Sequence, residues 1–276
     1  MPTFTDQHKA FTAKTAPVFA NAKSIAATLP PNKVQVWPGG AIFSSIQDAI
    51  NSITTASENE EYQVAIGRGT FTENVVMKDY VYLVGAGQSF TTITAPAQSG
   101  YTAVVSSASG CGIGDLTINA PTGSSGTQSA AVKICGSGFF HMSGVTINAG
   151  TTGNTGSGVW GIYNISGSLA GDVIVGSSQI TVSKAGNGNA IGIVLYGSPG
   201  SNTAMNVTVE LTTVLVNPGA TYCYGIIAAQ SSAIVVNEST ITAPTFTLDN
   251  DAATSPLTAN LCTLNGPVGQ YVTVNT

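Results

Sequence analysis

Charge is what this sequence has least of. Only 8% of its 276 residues are Asp, Glu, Lys or Arg, Arg68 is the sole arginine, and His8 and His141 are the two histidines. The formal net charge is -5, and Lys9, Lys14, Lys23, Lys33, Lys78, Lys133 and Lys184 are scattered along the chain. The clustered basic stripe that holds a phosphate backbone is therefore missing, and nucleic acid is not an expected partner. No uninterrupted apolar run approaches the roughly 20 residues of a membrane helix, so no membrane span is expected. Cys111, Cys135, Cys223 and Cys262 have no C-x-x-C spacing, which leaves zinc and thiol redox chemistry without support. They read as buried free thiols, since a β-rich core accepts Cys as a small apolar residue. Neither a metal site nor a cofactor is expected. The stretch "MPTFTDQHKAFTAKTAPVFANAKSIAATLPPN" lacks the basic start and continuous apolar segment of a signal peptide, and on these grounds the compartment stays open.

What the chain does have is 43% hydrophobic residues and 32 glycines, with Ser, Thr and Asn left to dress the surface. It also repeats itself. "TTITAP" (91 to 96), "LTINAP" (116 to 121), "VTINAG" (145 to 150), "ITVSKAG" (180 to 186), "VLVNPG" (214 to 219) and "STITAP" (239 to 244) share one order: apolar or small, polar, aliphatic, polar, then Pro or Gly. Their central aliphatics, Ile93, Ile118, Ile147, Val182, Val216 and Ile241, are separated by 25, 29, 35, 34 and 25 residues. A coil of short strands lengthens its loops freely, whereas a propeller blade or a leucine-rich repeat holds a fixed period. Alternate residues then point into the core and out to solvent, with Thr92, Thr117, Thr146, Thr181 and Thr240 outward and Leu215 the exception. Further apolar bursts such as "AAVKICG", "AIGIVLYG" and "YGIIAAQ" supply at least one more strand per coil. An antiparallel β-sandwich also has many short strands, but Asn-Gly and Asp-Gly hairpin signals are nearly absent between these runs.

The stretch "SSIQDAINSITTA" (44 to 56) places Ile46, Ala49, Ile50 and Ile53 at helical spacing behind Ser44 or Ser45 as N-cap, and it predicts a helix that plugs the first coil. The expected organisation is an N-terminal extension over 1–36, a β-helix over 37–244 and a C-terminal segment over 245–276 that covers the last coil. The extension is weakly helical, packing along the outside or mediating assembly into a homo-oligomer.

The residues from "GGAIFSSIQDAINSI" through "VAIGRGTFTENVVM" and "YVYLVGAGQSFTTIT" resemble the start of the pectin methylesterases and of the wider pectin-lyase-like superfamily. The resemblance continues through "LTINAPTGSSGTQSAAVKICGSGFFHMSGVTI" (116 to 147) and "SLAGDVIVGSSQITV" (168 to 182). It implies an all-β fold, a single right-handed parallel β-helix with a capping helix near its N-terminus. In that family a Gln at the opening of the strand matched by "QSAAVKI" helps to hold an oxyanion, and Gln128 corresponds to it. An Asp followed by an apolar strand and Gly is the nucleophile, and Asp172 in "GDVIVG" corresponds to that.

The chain departs from the family elsewhere. Ester hydrolysis by two carboxylates needs a second, protonated acid to supply the leaving alkoxide, and the matching loop "NAGTTGNTGSGVWG" (148 to 161) has no carboxylate. The arginine expected after the nucleophile is also missing, because Arg68 lies upstream. The resemblance thus implies a pectinesterase-like protein that binds or acts on polysaccharide without the two-Asp hydrolysis, and an extracellular location.

Each candidate has a plainer reading beside the functional one. Asp172 is either a retained nucleophile or a turn residue bonding its own backbone. Gln128 either meets sugar hydroxyls or satisfies a loop. His141, between Phe140 and Met142, is either a general base or a packed ring. Asp115 and Lys133 read as a surface ion pair across neighbouring coils, and the two Asp of "LDNDAAT" (248 to 254) as either a cation-binding loop or a solvated tail. Trp160, Tyr163, Tyr196, Tyr222 and Tyr224 recur near the starts of successive coils, either as an exposed platform for sugar rings or as fillers of the interior corners. Two further function classes stay open: a stiff non-catalytic spike or surface protein, and a divergent β-helix enzyme acting on a small-molecule ligand beneath the loops.

Overall fold

The computed structural model describes residues 32–40, 42–96, 102–120, 129–136, 138–151, 158–164, 171–196, 205–229, 232–250 and 257–275. Residues 1–31, most of the expected extension, lie outside that set, as does Gln128. The described chain winds as a right-handed parallel β-helix, and all the strand-to-strand ladders are parallel. Its strands form three faces. Tyr62–Ile66 on face I, Gly69–Thr72 on face II and Val75–Val76 on face III make one coil, and the chain regains face I at Val81–Val84. Face I runs without a break from Lys33–Val36 to Val272–Asn275, and face III is a separate sheet of seven strands from Val75–Val76 to Phe246–Asn250. Strands Cys111–Asn119 and Phe140–Thr151 bend, pairing on face I with their first halves and on face II with their second.

Inside, like stacks on like. Ile93, Ile118, Ile147, Ile180, Val214 and Ile241 form one column of face II, each wholly buried. Burying such a side chain contributes about 1.5–3 kcal/mol, and the repetition of the column is what holds successive coils in register. This column corrects the repeat as read from the sequence. The partners of Ile147 and Ile241 are Ile180 and Val214 rather than Val182 and Val216, so the phrase was read two residues late in those two coils. Leu215 is consequently no exception in the outward threonine column: that place belongs to Thr213.

The corner between faces I and II is a one-residue bend. Asp115, Gly144, Ser177, Leu211, Glu238 and Leu261 occupy it in successive coils with φ of 54°, 63°, 47°, 49°, 46° and 52°. The next residue turns back inward, and from Ser178 onward it carries a hydroxyl or thiol: Ser178, Thr212, Ser239 and Cys262. Ser178, Thr212 and Ser239 donate to the carbonyls of Gly176, Glu210 and Asn237 at 2.8, 2.9 and 2.7 Å. The backbone N–H of Val145 donates to the Ser178 hydroxyl at 3.2 Å, and that of Thr212 to the Ser239 hydroxyl at 3.1 Å. A buried hydroxyl column therefore satisfies the backbone groups that the bend removes from the ladder.

The plug is present as Ile46–Ser52, with Ser45 as its N-cap and Ile46, Ala49 and Ile50 buried against the first coil. Its support comes from residues just after two later strands of that coil. The Glu73 carboxylate accepts from Ser45 Oγ, Ile46 N and Gln47 N, each at 2.9 Å. Lys78 Nζ donates to the carbonyls of Asn51 and Ile53 at 3.1 and 2.7 Å. Negative charge at the helix start and positive charge at its end both complement the helix dipole.

At the other end, the segment from about 245 is itself strand-forming: Leu257–Asn260 and Val272–Asn275 extend face I, and Thr263–Asn265 extends face II. An amide ladder accompanies them, Asn275 donating to Asn260 at 2.7 Å and Asn260 to Asn237 at 2.9 Å. The four cysteines are free; Cys111 and Cys223 are buried, while Cys135 and Cys262 are half-buried. Burial pushes the Cys111 thiol up to about 12, which suits an inert core residue.

Candidate functional site: the aromatic outer face

Strands alternate in and out with period 2, and face III breaks that rule at one position in three successive strands. In Val159–Asn164 the inward residues are Val159 and Ile162, while Trp160 and Tyr163 belong to a second apolar cluster on the outside. Ala190 and Ile193 point in around outward Ile191 and Val194, and Cys223 and Ile226 point in around outward Tyr224 and Ile227. The phase shift falls on Gly161, Gly192 and Gly225. A Cβ on Gly161 would stand 2.5 Å from the Gly192 carbonyl oxygen and 2.6 Å from Ile180 Cγ2. Gly192 and Gly225 meet Val214 and Ile241 in the same way. The glycines thus let faces II and III approach closely, and because the same shift falls on buried Ala131 and Thr247 in the flanking strands, two outward columns run along face III.

The first outer column runs Ala130, Trp160, Ile191, Tyr224, Phe246. The second runs Lys133, Tyr163, Val194, Ile227, Asp249. Across them the Trp160 and Tyr163 rings stack with centroids 4.9 Å apart, Tyr222 stacks on Tyr224 at 6.3 Å, and Tyr224 on Phe246 at 5.9 Å. Tyr222 is 51% exposed, Tyr163 and Tyr224 are half-buried, and Trp160 is buried. Burial raises the hydroxyl pKa of Tyr163 and of Tyr224, and for Tyr224 the charge of Asp249 adds to it, so both stay neutral hydrogen-bond donors at physiological pH. Tyr196 closes the strand Gly186–Tyr196 opposite Ala229, with its side chain outside the described set. Trp160, Tyr163, Tyr222 and Tyr224 are thereby brought to the outer side of one sheet rather than to the interior corners, and Tyr196 lies on a strand of the same sheet.

The other candidates are placed elsewhere. Asp172 opens a strand of face I; it is exposed, and Asn206 Nδ2 donates to its Oδ1 at 3.2 Å from the next coil. His141 also lies on face I, opposite Gly112 and Ile174, 1% exposed and edge-on to Phe139 at 5.8 Å. The strand that Gln128 was expected to open, Ser129–Ile134, runs on face III. The described structure therefore assembles no site from Asp172, His141 and the aromatic residues. Asp115 sits at the bend between faces I and II and Lys133 lies on face III, so they are not neighbours across one ladder, which corrects the expected ion pair. Arg68 is stacked over Phe90, 4.0 Å from the ring centroid. Phe246 is not singled out by the sequence, and Asp249 reads there as part of a polar loop, whereas Phe246–Asn250 is the last strand of face III. Among the described residues no group of three His, Cys, Asp or Glu side chains is placed to hold a metal ion. No helix there is long and apolar enough to cross a membrane.

No protein-family model and no curated protein matches the sequence. Solved structures do. The pectin methylesterase of Erwinia chrysanthemi superposes with a TM-score of 0.53 over 91% of this chain and 94% of its own, at 12% sequence identity. A pectin methylesterase in complex with a hexasaccharide gives 0.51 over the same shares, also at 12% identity. The carrot enzyme gives 0.50 over 91% and 90%, at 17% identity. The fold is that of the pectin methylesterases. The pectin-methylesterase fold here carries Asp249 as the one carboxylate among the described residues of face III, beside the rings of Trp160, Tyr163, Tyr222, Tyr224 and Phe246 and a run of aliphatic side chains.

Proposed function

We propose that this chain is a pectinesterase-like β-helix protein that binds polysaccharide along the outside of face III without performing two-carboxylate ester hydrolysis. The observation that carries this reading is the pair of ring stacks, Trp160 on Tyr163 and Tyr222 on Tyr224 on Phe246, in register on one sheet. A sugar ring presents C–H groups on its flat side and hydroxyls at its rim, which suits an apolar ring platform edged by tyrosine hydroxyls. Loss of hydrolysis is supported by the missing second acid, by the absence of an arginine after Arg68, and by the location of Asp172 on a different face. The likeness to solved pectin methylesterases, one of them holding a hexasaccharide, points to an acidic plant-type polymer as the first ligand to try.

The test is titration with methyl-esterified and de-esterified pectin, with release of methanol followed in parallel. Saturable binding without methanol release is expected, and Tyr222→Ala or Tyr224→Ala should weaken it about two- to tenfold at unchanged melting temperature. Methanol release abolished by Asp172→Asn would overturn the non-catalytic reading. Absence of binding, or binding indifferent to both ring substitutions, would overturn the platform.

A further inference from the structure

The outside of face II differs in kind from the outside of face III. One outward column contains Thr70, Thr92, Thr117, Thr146, Thr213, Thr240 and Thr263, all in register, and Gln179 is the single position among its eight that is not threonine. The second column, two residues further along each strand, is again uncharged and free of aromatic rings, with Thr, Asn and one Leu. Threonine is a good strand residue, but the fold does not demand it here. On face I the equivalent outward column of the same chain reads Tyr82, Gly112, His141, Ile174, Thr208, Val235.

We propose that face II is an ice-binding surface. Parallel coils fix the rows about 4.8 Å apart, and residues i and i+2 on a strand are about 6.6 Å apart, so the hydroxyls and methyls form a flat two-dimensional lattice. Eight rows make an array about 34 Å long. Those two repeats fall near the oxygen repeats along and across the prism face of hexagonal ice. β-Branched side chains have few rotamers, so little freedom is lost when the array orders water. Hydrogen bonds stiffen it further: Thr117 Oγ1 donates to the Gln88 carbonyl at 2.7 Å, Asn148 Nδ2 to Asn119 at 3.0 Å and Asn265 Nδ2 to Thr242 at 3.1 Å. The absence of charge selects the occupant. A chain with net charge -5 keeps both columns of this face neutral, which matches a neutral lattice of water, while the missing rings remove the platform that a sugar polymer would use.

The full chain should partition into slowly growing ice and suppress recrystallisation. Thr146→Tyr combined with Thr213→Tyr should reduce both effects at least tenfold, and Val235→Tyr on face I should leave them unchanged. Circular dichroism and melting report whether the variants fold; if the double tyrosine variant does not, Thr146→Val with Thr213→Val removes the hydroxyls while keeping the branched shape. Exclusion of the parent chain from ice would overturn the proposal. So would equal partition of a folded double variant, or attachment to microcrystalline cellulose through the same threonines without ice partition.

Discussion

Trp160 and Tyr163 stand three residues apart on one strand and still stack face to face, 4.9 Å between centroids. A regular strand would send them to opposite sides of the sheet. Gly161, between Trp160 and inward Ile162, absorbs the missing half-period, and the coil above repeats the device at Gly192. Gly161→Ala should therefore cost about 1–3 kcal/mol in urea unfolding, the range for forcing a methyl into a packed interior. Gly150→Ala is the matched comparison, because a Cβ there has Ser183 O at 3.4 Å and nothing closer. It should lie within about 1 kcal/mol of the parent.

Glu73 caps a helix from outside it. Three donors at the start of Ile46–Ser52 converge on this one carboxylate. Removing a cap costs about 0.5–2 kcal/mol, and this one also anchors the plug to the first coil. Glu73→Ala should fall at the upper end of that range, and Glu73→Gln, which keeps an acceptor but loses the charge, should fall between the two. Equilibrium denaturation of the three proteins checks the order.

Thr212 is 1% exposed and donates to the Glu210 carbonyl at 2.9 Å. Thr212→Val keeps the shape and removes the hydroxyl, leaving the Glu210 carbonyl with the Ser177 N–H alone and the buried Ser178 N–H without the oxygen it donates to. The expected loss is about 1–3 kcal/mol, whereas Thr212→Ser should retain the hydrogen bond and most of the stability. Equal losses in the two variants would show that the methyl matters and the hydroxyl does not.

Asp115 occupies the bend between faces I and II, and burial raises its carboxyl pKa above the usual 3.8. The folded state then holds its proton to higher pH than the unfolded state does. Stability consequently falls as pH rises from the ordinary Asp value to the raised one, and the deficit persists above that window. Asp115→Asn tolerates the same positive φ and removes the deficit. The variant should be more stable than the parent at pH 7 and equal to it below pH about 3.5. Melting curves across that range test the sign.

Much of this architecture was legible as repetition. Aliphatic residues recurring between polar ones announced the parallel coils, and Ile46, Ala49 and Ile50 announced the plug. The register of two coils was misread because "ITVSK" and "TVLVN" alternate so regularly that the phrase fits equally well two residues later. The bend was not legible at all: Leu211 and Leu261 adopt φ of 49° and 52°, a conformation for which leucine gives no signal. Glu73 and the helix it caps are joined by stacking, across 27 residues to Ile46, which local pattern does not encode. For the site, the recurrence of rings near coil starts was enough to collect Tyr163, Tyr222 and Tyr224 on one face. The face on which Asp172 and His141 fall depends on where each coil turns its corners, and composition says little about that.

The bend between faces I and II also governs where this chain can grow. Successive coils differ in length, yet from Asp115 to Leu261 this corner is always a single residue followed by an inward one. The differences in length between coils fall at the two other corners. An extra residue at this one would displace the hydroxyl column and slip every strand after it. A designer wishing to graft a binding loop onto this rod has two permissive edges and one that tolerates nothing, and the permissive pair flanks the aromatic face.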